Sequence, residues 1–217
     1  MRKRIAVSVV AGAAAAASAA AVAPAAAGPR PVPGPPNVSA KVVAVYGSGC
    51  TTDNVAAGAQ IGGDTFTVFY GGYLAQAGGS STPVDARKTC QVAVRVTAPP
   101  DVTYAVSSVE HRGYAYLERG ANAAVGVGYY FQGQAAPAKT WLALTGPRDD
   151  DWSFTDRPPP DQVVFRPCGD DRVLMLTTEL RVDKGTSDPS KVSYIAMDSI
   201  TDGVKTTYRL AWKNCPR

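Results

Sequence analysis

From residue 41 onward, apolar and polar positions alternate with a period of two. Val42, Val43 and Val45 open a segment that stops at Gly47, and residues 65–70 alternate polar with apolar. In residues 91–96 the three valines fall on one face, and residues 102–109 and 113–118 behave alike. Across residues 172–182, Leu174, Leu176, Leu180 and Val182 share a side. The cleanest case is residues 207–213: Tyr208, Leu210 and Trp212 point one way, Thr207, Arg209, Ala211 and Lys213 the other. This is the pattern of half-buried strands rich in Val, Thr and Tyr. Gly78-Gly79, Pro99-Pro100, Pro158-Pro159-Pro160 and Asp202-Gly203 punctuate the segments as turns. No window carries an amphipathic helix with caps. The pattern predicts an all-β, antiparallel β-sandwich of jelly-roll type, one domain over residues 41–217.

The first residues follow another logic. Arg2, Lys3 and Arg4 precede an uncharged, alanine-dominated run from Ile5 to Ala23, and Ala25-Ala26-Ala27 precede Gly28. A basic cluster, an apolar stretch and a small-x-small site predict a signal peptide over residues 1–27, cleaved after Ala27. Residues 28–40 are proline-rich and are expected to form a disordered spacer. Asn37-Val38-Ser39 is a formal glycosylation sequon within it.

Charge matters chiefly through that signal. The full chain has 22 Lys+Arg against 18 Asp+Glu, a net of +4. Removing Arg2, Lys3 and Arg4 takes the balance to about +1, and no Lys/Arg run follows residue 27. A nucleic-acid partner, which needs a basic footprint on the folded domain, is therefore not expected. Nor is a membrane span expected once the signal is cleaved, and the mature chain is expected to be a monomer.

Four cysteines remain: Cys50, Cys90, Cys168 and Cys215. An even count in an exported chain reads as two disulfides, drawn from three connectivities. Cys50–Cys90 and Cys168–Cys215 are favoured, because each joins predicted strands within one half of the chain. Each would close a loop of roughly 40 residues, worth on the order of 4 kcal/mol by chain entropy. Zinc is disfavoured: there is no Cys-x-x-Cys pair, and His111 is the sole histidine.

Several phrases are familiar as a set. They include Gly47-Ser48-Gly49-Cys50, Tyr73-Leu74-Ala75-Gln76, Arg87-Lys88-Thr89-Cys90-Gln91 and Arg112-Gly113-Tyr114-Ala115. Further on come Tyr129-Tyr130-Phe131-Gln132-Gly133, Thr145-Gly146-Pro147-Arg148-Asp149-Asp150, Pro167-Cys168-Gly169 and Trp212-Lys213-Asn214-Cys215. From about residue 42 to 215 the chain resembles the secreted proteins grouped as domain of unknown function 4360. The resemblance implies secretion and a disulfide-bonded domain. It carries no established activity and no catalytic residues.

The candidate chemistry is sparse. His111 lies in Val109-Glu110-His111-Arg112-Gly113, between two β segments, and is expected at a turn or strand edge in a structural role. No Gly-x-Ser-x-Gly elbow accompanies it. Asp149, Asp150 and Asp151, with Asp156 nearby, form the densest acidic cluster. They are a candidate Ca²⁺ site if they sit on a loop, weighed against a plain Asp-rich turn. No other cofactor is implied. Glu110, Glu118 and Glu179 lie on predicted strands, and two facing carboxylates would suit glycosidic hydrolysis. Glu179, opposite Leu180, is expected in a surface salt bridge. Tyr130, Trp141 and Trp152 are candidate ligand-facing aromatics, because exposed rings on a β-sandwich stack on sugars, although rings also dominate such cores. The reading favoured is an extracellular, non-enzymatic binding or surface protein with an unidentified, glycan-like ligand. The alternative is a carboxylate-dependent, Ca²⁺-assisted hydrolase of extracellular polymer.

Overall fold

The computed structural model describes residues 31–59, 64–197 and 205–216. The predicted signal peptide and the turn at Asp202-Gly203 lie outside the described residues. In chain order the strands are β1 (Pro31–Val32), β2 (Ser39–Tyr46), β3 (Val55–Ala59), β4 (Thr65–Tyr70) and β5 (Leu74–Ala77). Then come β6 (Arg87–Thr97), β7 (Val102–Leu117), β8 (Asn122–Phe131), β9 (Thr140–Thr145) and β10 (Arg148–Asp156). After a single 3-10 turn at Pro160–Gln162 follow β11 (Leu174–Asp183), β12 (Ser193–Ala196) and β13 (Lys205–Asn214).

These strands build two antiparallel sheets packed face to face, a β-sandwich. The first runs β3-β4-β13-β7-β12-β5, with β1 added on β13 and β10 on β7. The second runs β2-β6-β11-β8-β9. The alternation read from sequence decides which side chains meet between them. Tyr208, Leu210 and Trp212 of β13 are buried, as are Leu174, Leu176, Leu180 and Val182 of β11 and Val92, Val94 and Val96 of β6. Tyr104 of β7 touches both Trp212 in its own sheet, at 5.6 Å between ring centroids, and Phe131 across the sandwich, at 5.4 Å. Tilted and edge-on rings at these distances are the favoured aromatic geometry.

β7 corrects the sequence pattern. Residues 102–109 and 113–118 are not separate strands but one strand of 16 residues. Arg209 faces Ser108 and Leu210 faces Val106, so Ser107 is an unpaired extra residue. Its hydroxyl donates to the Arg209 carbonyl at 3.1 Å. A bulge of this kind shifts the phase of alternation by one. Tyr104 and Val106 face the core before it; Val109, His111, Ala115 and Leu117 do so after it. His111 is therefore a buried mid-strand residue, not one at a turn or strand edge.

The leader is also more ordered than expected from Pro31 onward. Pro31 and Val32 pair with Lys213 and Trp212, and β2 already starts at Ser39. Proline lacks a donor, and an edge position tolerates that. Asn37 is exposed on the turn before β2.

Both disulfides follow the predicted pairing, Cys50–Cys90 and Cys168–Cys215, with sequence separations of 40 and 47. The first fastens the β2–β3 loop to β6. The second fastens the long 157–173 connection, which crosses from one sheet to the other, to the end of β13. Along that connection Arg166 N–H donates to the Tyr104 carbonyl at 2.9 Å, and Thr103 Oγ1 donates to the Arg166 carbonyl at 2.5 Å. The edge of β7 that β10 leaves uncovered is thus satisfied by irregular chain.

Candidate functional site

The outer face of the second sheet gathers most of the unusual chemistry. Register places Thr89, Glu179, Gly126 and Trp141 in one row across β6, β11, β8 and β9. The next row brings Arg87, Arg181, Ala124 and Ala143 together. On the other side lie Ala93, Met175 and Tyr130. Side chains alternate along each strand, so all of these project away from the core.

Trp141 is 40 % exposed and packs over Gly126. A Cβ on Gly126 would sit 2.6 to 2.8 Å from three atoms of the six-membered ring. Only glycine lets the indole come down onto the strand at this point. The sequence signal was the Val125-Gly126-Val127-Gly128 run, since glycine inside a strand often marks close approach. Arg181 places its guanidinium carbon 4.5 Å from the Trp141 ring centroid. Tyr130 is half-buried on the same face, and its hydroxyl accepts from Gln91 Nε2 at 3.0 Å. Tyr46, at the outer end of β2 beside Gln91, is exposed.

Glu179 corrects the expected surface salt bridge. Its side chain is 2 % exposed, on the outward face of β11, beneath three cations. Oε1 accepts from Arg87 Nε at 2.6 Å and from Arg181 Nε at 2.7 Å; Oε2 accepts from Lys139 Nζ at 2.7 Å. Burial alone would raise the carboxyl pKa. The hydrogen bonds from Arg87, Lys139 and Arg181 outweigh it and hold the group at about 2. The same contact raises the Arg87 pKa, through its hydrogen bond to Glu179 and then the carboxylate's charge. Sequence separations of 92 and 40 residues hid this cluster.

The outer face of the first sheet is different in kind. Tyr194 lies between Tyr114 and Tyr116, at 6.1 and 5.9 Å between ring centroids. Carboxylates accept from their hydroxyls: Asp149 from Tyr114, and Glu118 from Tyr116 at 2.9 Å. Those acceptors, with burial, raise both tyrosine pKa values, that of Tyr114 to about 12. Asp149, Asp150 and Asp151 lie on the edge strand β10, not on a loop or turn. Strand alternation turns Asp150 away from its neighbours, and it pairs with Arg148. The three carboxylates therefore do not converge, and among the described residues no group of three His, Cys, Asp or Glu is placed to hold a metal ion.

Trp152 is likewise corrected. It pairs with Gly113, an inward position of β7, and is buried. A Cβ on Gly113 would sit 2.4 Å from its ring. Trp152 is thus a core residue, while Tyr130 and Trp141 share one open face. Glu110 is engaged by Arg112 Nε at 2.9 Å on the first sheet, far from Glu179 on the second. The paired carboxylates that hydrolysis would need are not assembled from Glu110, Glu118 and Glu179. His111 is buried, with Nδ1 3.4 Å from Thr206 Oγ1, and burial lowers its pKa to about 3.

A cleft of about 410 Å³ opens between the sheets beside this region, lined by Val106, Val127, Tyr129, Pro158, Pro159 and Leu174 among others. Tyr129 and Asp156 share a hydrogen bond in it, and burial, aided by Asp156, raises the tyrosine pKa.

The architecture and the two disulfides define a disulfide-bonded extracellular β-sandwich. The chain belongs to the family described as Domain of unknown function (DUF4360), whose model matches residues 36–215. It is 27% identical over 181 residues to an uncharacterized secreted protein of Arthroderma benhamiae, covering 83% of this chain and 73% of that protein. Among solved structures it matches TmCBM61 in complex with β-1,4-galactotriose at 11% identity and a TM-score of 0.29, covering 76% of this chain and 86% of that one. It also matches the enzymatically active domain of tailspike protein 4 of bacteriophage CBA120 at 9% identity and a TM-score of 0.25, over 82% of this chain and 19% of that one. Among the described residues no helix is long and apolar enough to cross a membrane.

Proposed function

We propose that this protein is a non-enzymatic extracellular glycan-binding protein, monomeric and released by cleavage after Ala27. The binding surface is the outer face of the second sheet. The observation that carries the reading is Trp141, held over Gly126 on an open sheet face that it shares with Tyr130. A ring presented on a rigid sheet is preorganised, so little ordering entropy opposes stacking on the apolar face of a sugar. The disulfides support the same reading, because they stiffen the sandwich that carries the ring.

Affinity electrophoresis of the exported protein through gels of different polysaccharides tests this. We expect retardation by at least one polymer and a loss of about tenfold, roughly 1.4 kcal/mol, in Trp141→Ala. Unchanged migration in every polymer, or retardation indifferent to Trp141→Ala, overturns it. Mass spectrometry of the secreted protein should find Gly28 at its N-terminus.

A further inference from the structure

We infer that the ligand of the Trp141 face is an acidic polysaccharide, recognised through its carboxylate or sulfate groups by Arg87, Arg181 and Lys139. This rests on the glycan reading above and adds the chemical class. A buried carboxylate needs one cation to be neutralised, whereas Glu179 has three within 2.7 Å. The cluster therefore carries a net charge of +2. Its positive ends are the accessible part: the Arg87 side chain is 62% exposed and that of Arg181 52%, against 2% for Glu179.

The way the guanidiniums are held points to a second acceptor. Both reach Glu179 through Nε. Among the described residues neither makes another hydrogen bond. Their terminal amino groups remain for a ligand, and a guanidinium matches a planar carboxylate or a sulfate with two parallel donors. Glu179 stays ionised far below neutral pH, so it fixes these donors in place before any ligand arrives. Arg181 also lies over the Trp141 ring. A sugar that contacts the exposed part of the indole would bring an acidic substituent to that guanidinium.

The rest of the outward face carries both signs, with Asp183 two residues beyond Arg181 on β11. Lys41 and Arg95 lie on its outward side in β2 and β6, paired in register. Arg95 is bonded to Asp171 from the 157–173 connection. From β6, which carries Arg87, to β9, which carries Trp141, is three inter-strand steps, about 14–15 Å at ~4.8 Å each. The charges and the ring thus span a short run of sugars rather than one unit. The cations cluster around a single carboxylate instead of forming a long track, which favours a polysaccharide over nucleic acid.

The experiment compares gels containing polygalacturonate, dextran sulfate, neutral dextran and neutral galactan, with a duplex DNA competitor. The proteins are the exported wild type, Arg87→Gln, Arg87→Lys, Trp141→Ala and the surface control Lys205→Gln on the other sheet, each checked for an unchanged thermal transition. We expect retardation by polygalacturonate or dextran sulfate that falls as salt rises. Arg87→Gln should weaken it about tenfold, Arg87→Lys by less, and Lys205→Gln not at all. Which acidic polymer binds tells carboxylate from sulfate. If a neutral polymer binds with dependence on Trp141 but not on Arg87, the acidic inference fails and the glycan reading stands. If no polymer binds, both fail. If DNA displaces the polymer more strongly than free polymer does, the inference is overturned in favour of nucleic acid. Should Arg87→Gln melt early, Arg87→Lys decides: it keeps the charge on Glu179 but lacks the fork, so binding equal to wild type overturns the guanidinium role.

Discussion

Each sheet buries an ionisable side chain, and the two are treated in opposite ways. His111, on the inner face of the first sheet, sits between Phe154 and Tyr208 with only Thr206 near its Nδ1. Its Nε2 has no hydrogen-bond partner among the described residues. It is kept neutral by the absence of anything to stabilise a charge. Glu179, on the outer face of the second sheet, is kept charged by three partners. A side chain that is merely packed needs nothing more than shape. A carboxylate surrounded by cations is costly to desolvate, and the cost is offset only where the geometry is good and the remaining donors and acceptors are satisfied. The contrast fits the proposal that the second sheet is the binding face and the first its scaffold.

The largest effect that sharpens this contrast is the response to acid. His111 has a pKa of about 3 when folded and 6.5 as the ordinary value. Between those values the unfolded chain binds the extra proton, so stability falls as pH falls, by up to about 1.4 kcal/mol per pH unit. Glu179 is depressed from 4.5 to about 2. Its stabilisation is complete above pH 4.5 and is lost as pH falls toward 2. Urea denaturation at pH 7, 6, 5 and 4 should therefore show a decline that His111→Phe flattens and Glu179→Gln leaves in place down to pH 5. A decline between pH 6.5 and 5 unchanged in His111→Phe would break the assignment.

Next in size is removal of the Glu179 charge at neutral pH. Breaking a fully buried ion pair costs about 3–5 kcal/mol. Arg87 and Arg181 are half exposed and can turn toward water, so Glu179→Gln should cost about 2–3 kcal/mol, below that range. Asp149→Asn, on the exposed face of the first sheet, should stay within about 0.5 kcal/mol. Chemical denaturation of both variants measures the difference. Equal costs would mean that the two acidic sites are energetically alike.

The sequence carried β2, β4, β6, β7, β11 and β13 through period-two alternation, and both disulfide pairings because each bridge joins predicted strands within one half of the chain; the shorter or less alternating β3, β5, β8, β9, β10 and β12 were not read. It missed what depends on register or on phase. Ser107 shifts the inward set of β7 by one residue, which is why Glu110–Gly113 looked like an interruption. Asp149–Asp151 looked like a turn because aspartate is depleted in strands, yet an edge strand such as β10 accepts charges that a central one would not. Trp141 and Tyr130 were visible as aromatics, and Trp152 as a third, but only pairing with Gly113 turns Trp152 inward. The cage on Glu179 joins residues from two strands and a loop, and no local pattern contains it.

The smallest effect is the most selective. Gly126→Ala adds one methyl group to the second sheet, where it would meet the Trp141 ring at 2.6 Å. The ring is on the edge strand β9 and partly exposed, so it can lift away at a cost of about 1 kcal/mol, the low end for overpacking. Lifting it also moves it from Arg181 and spoils the face. Polymer retardation should then fall about as far as in Trp141→Ala, although the tryptophan is still present. Gly113→Ala makes the control on the first sheet, because its new methyl would meet the Ala196 carbonyl oxygen at 2.0 Å as well as the Trp152 ring. Backbone cannot move aside as an exposed ring can, so that variant should lose stability first and binding only through it. If Gly126→Ala left binding intact, the position of the indole over the strand would not be what the ligand reads, and Trp141 would have to act from another rotamer.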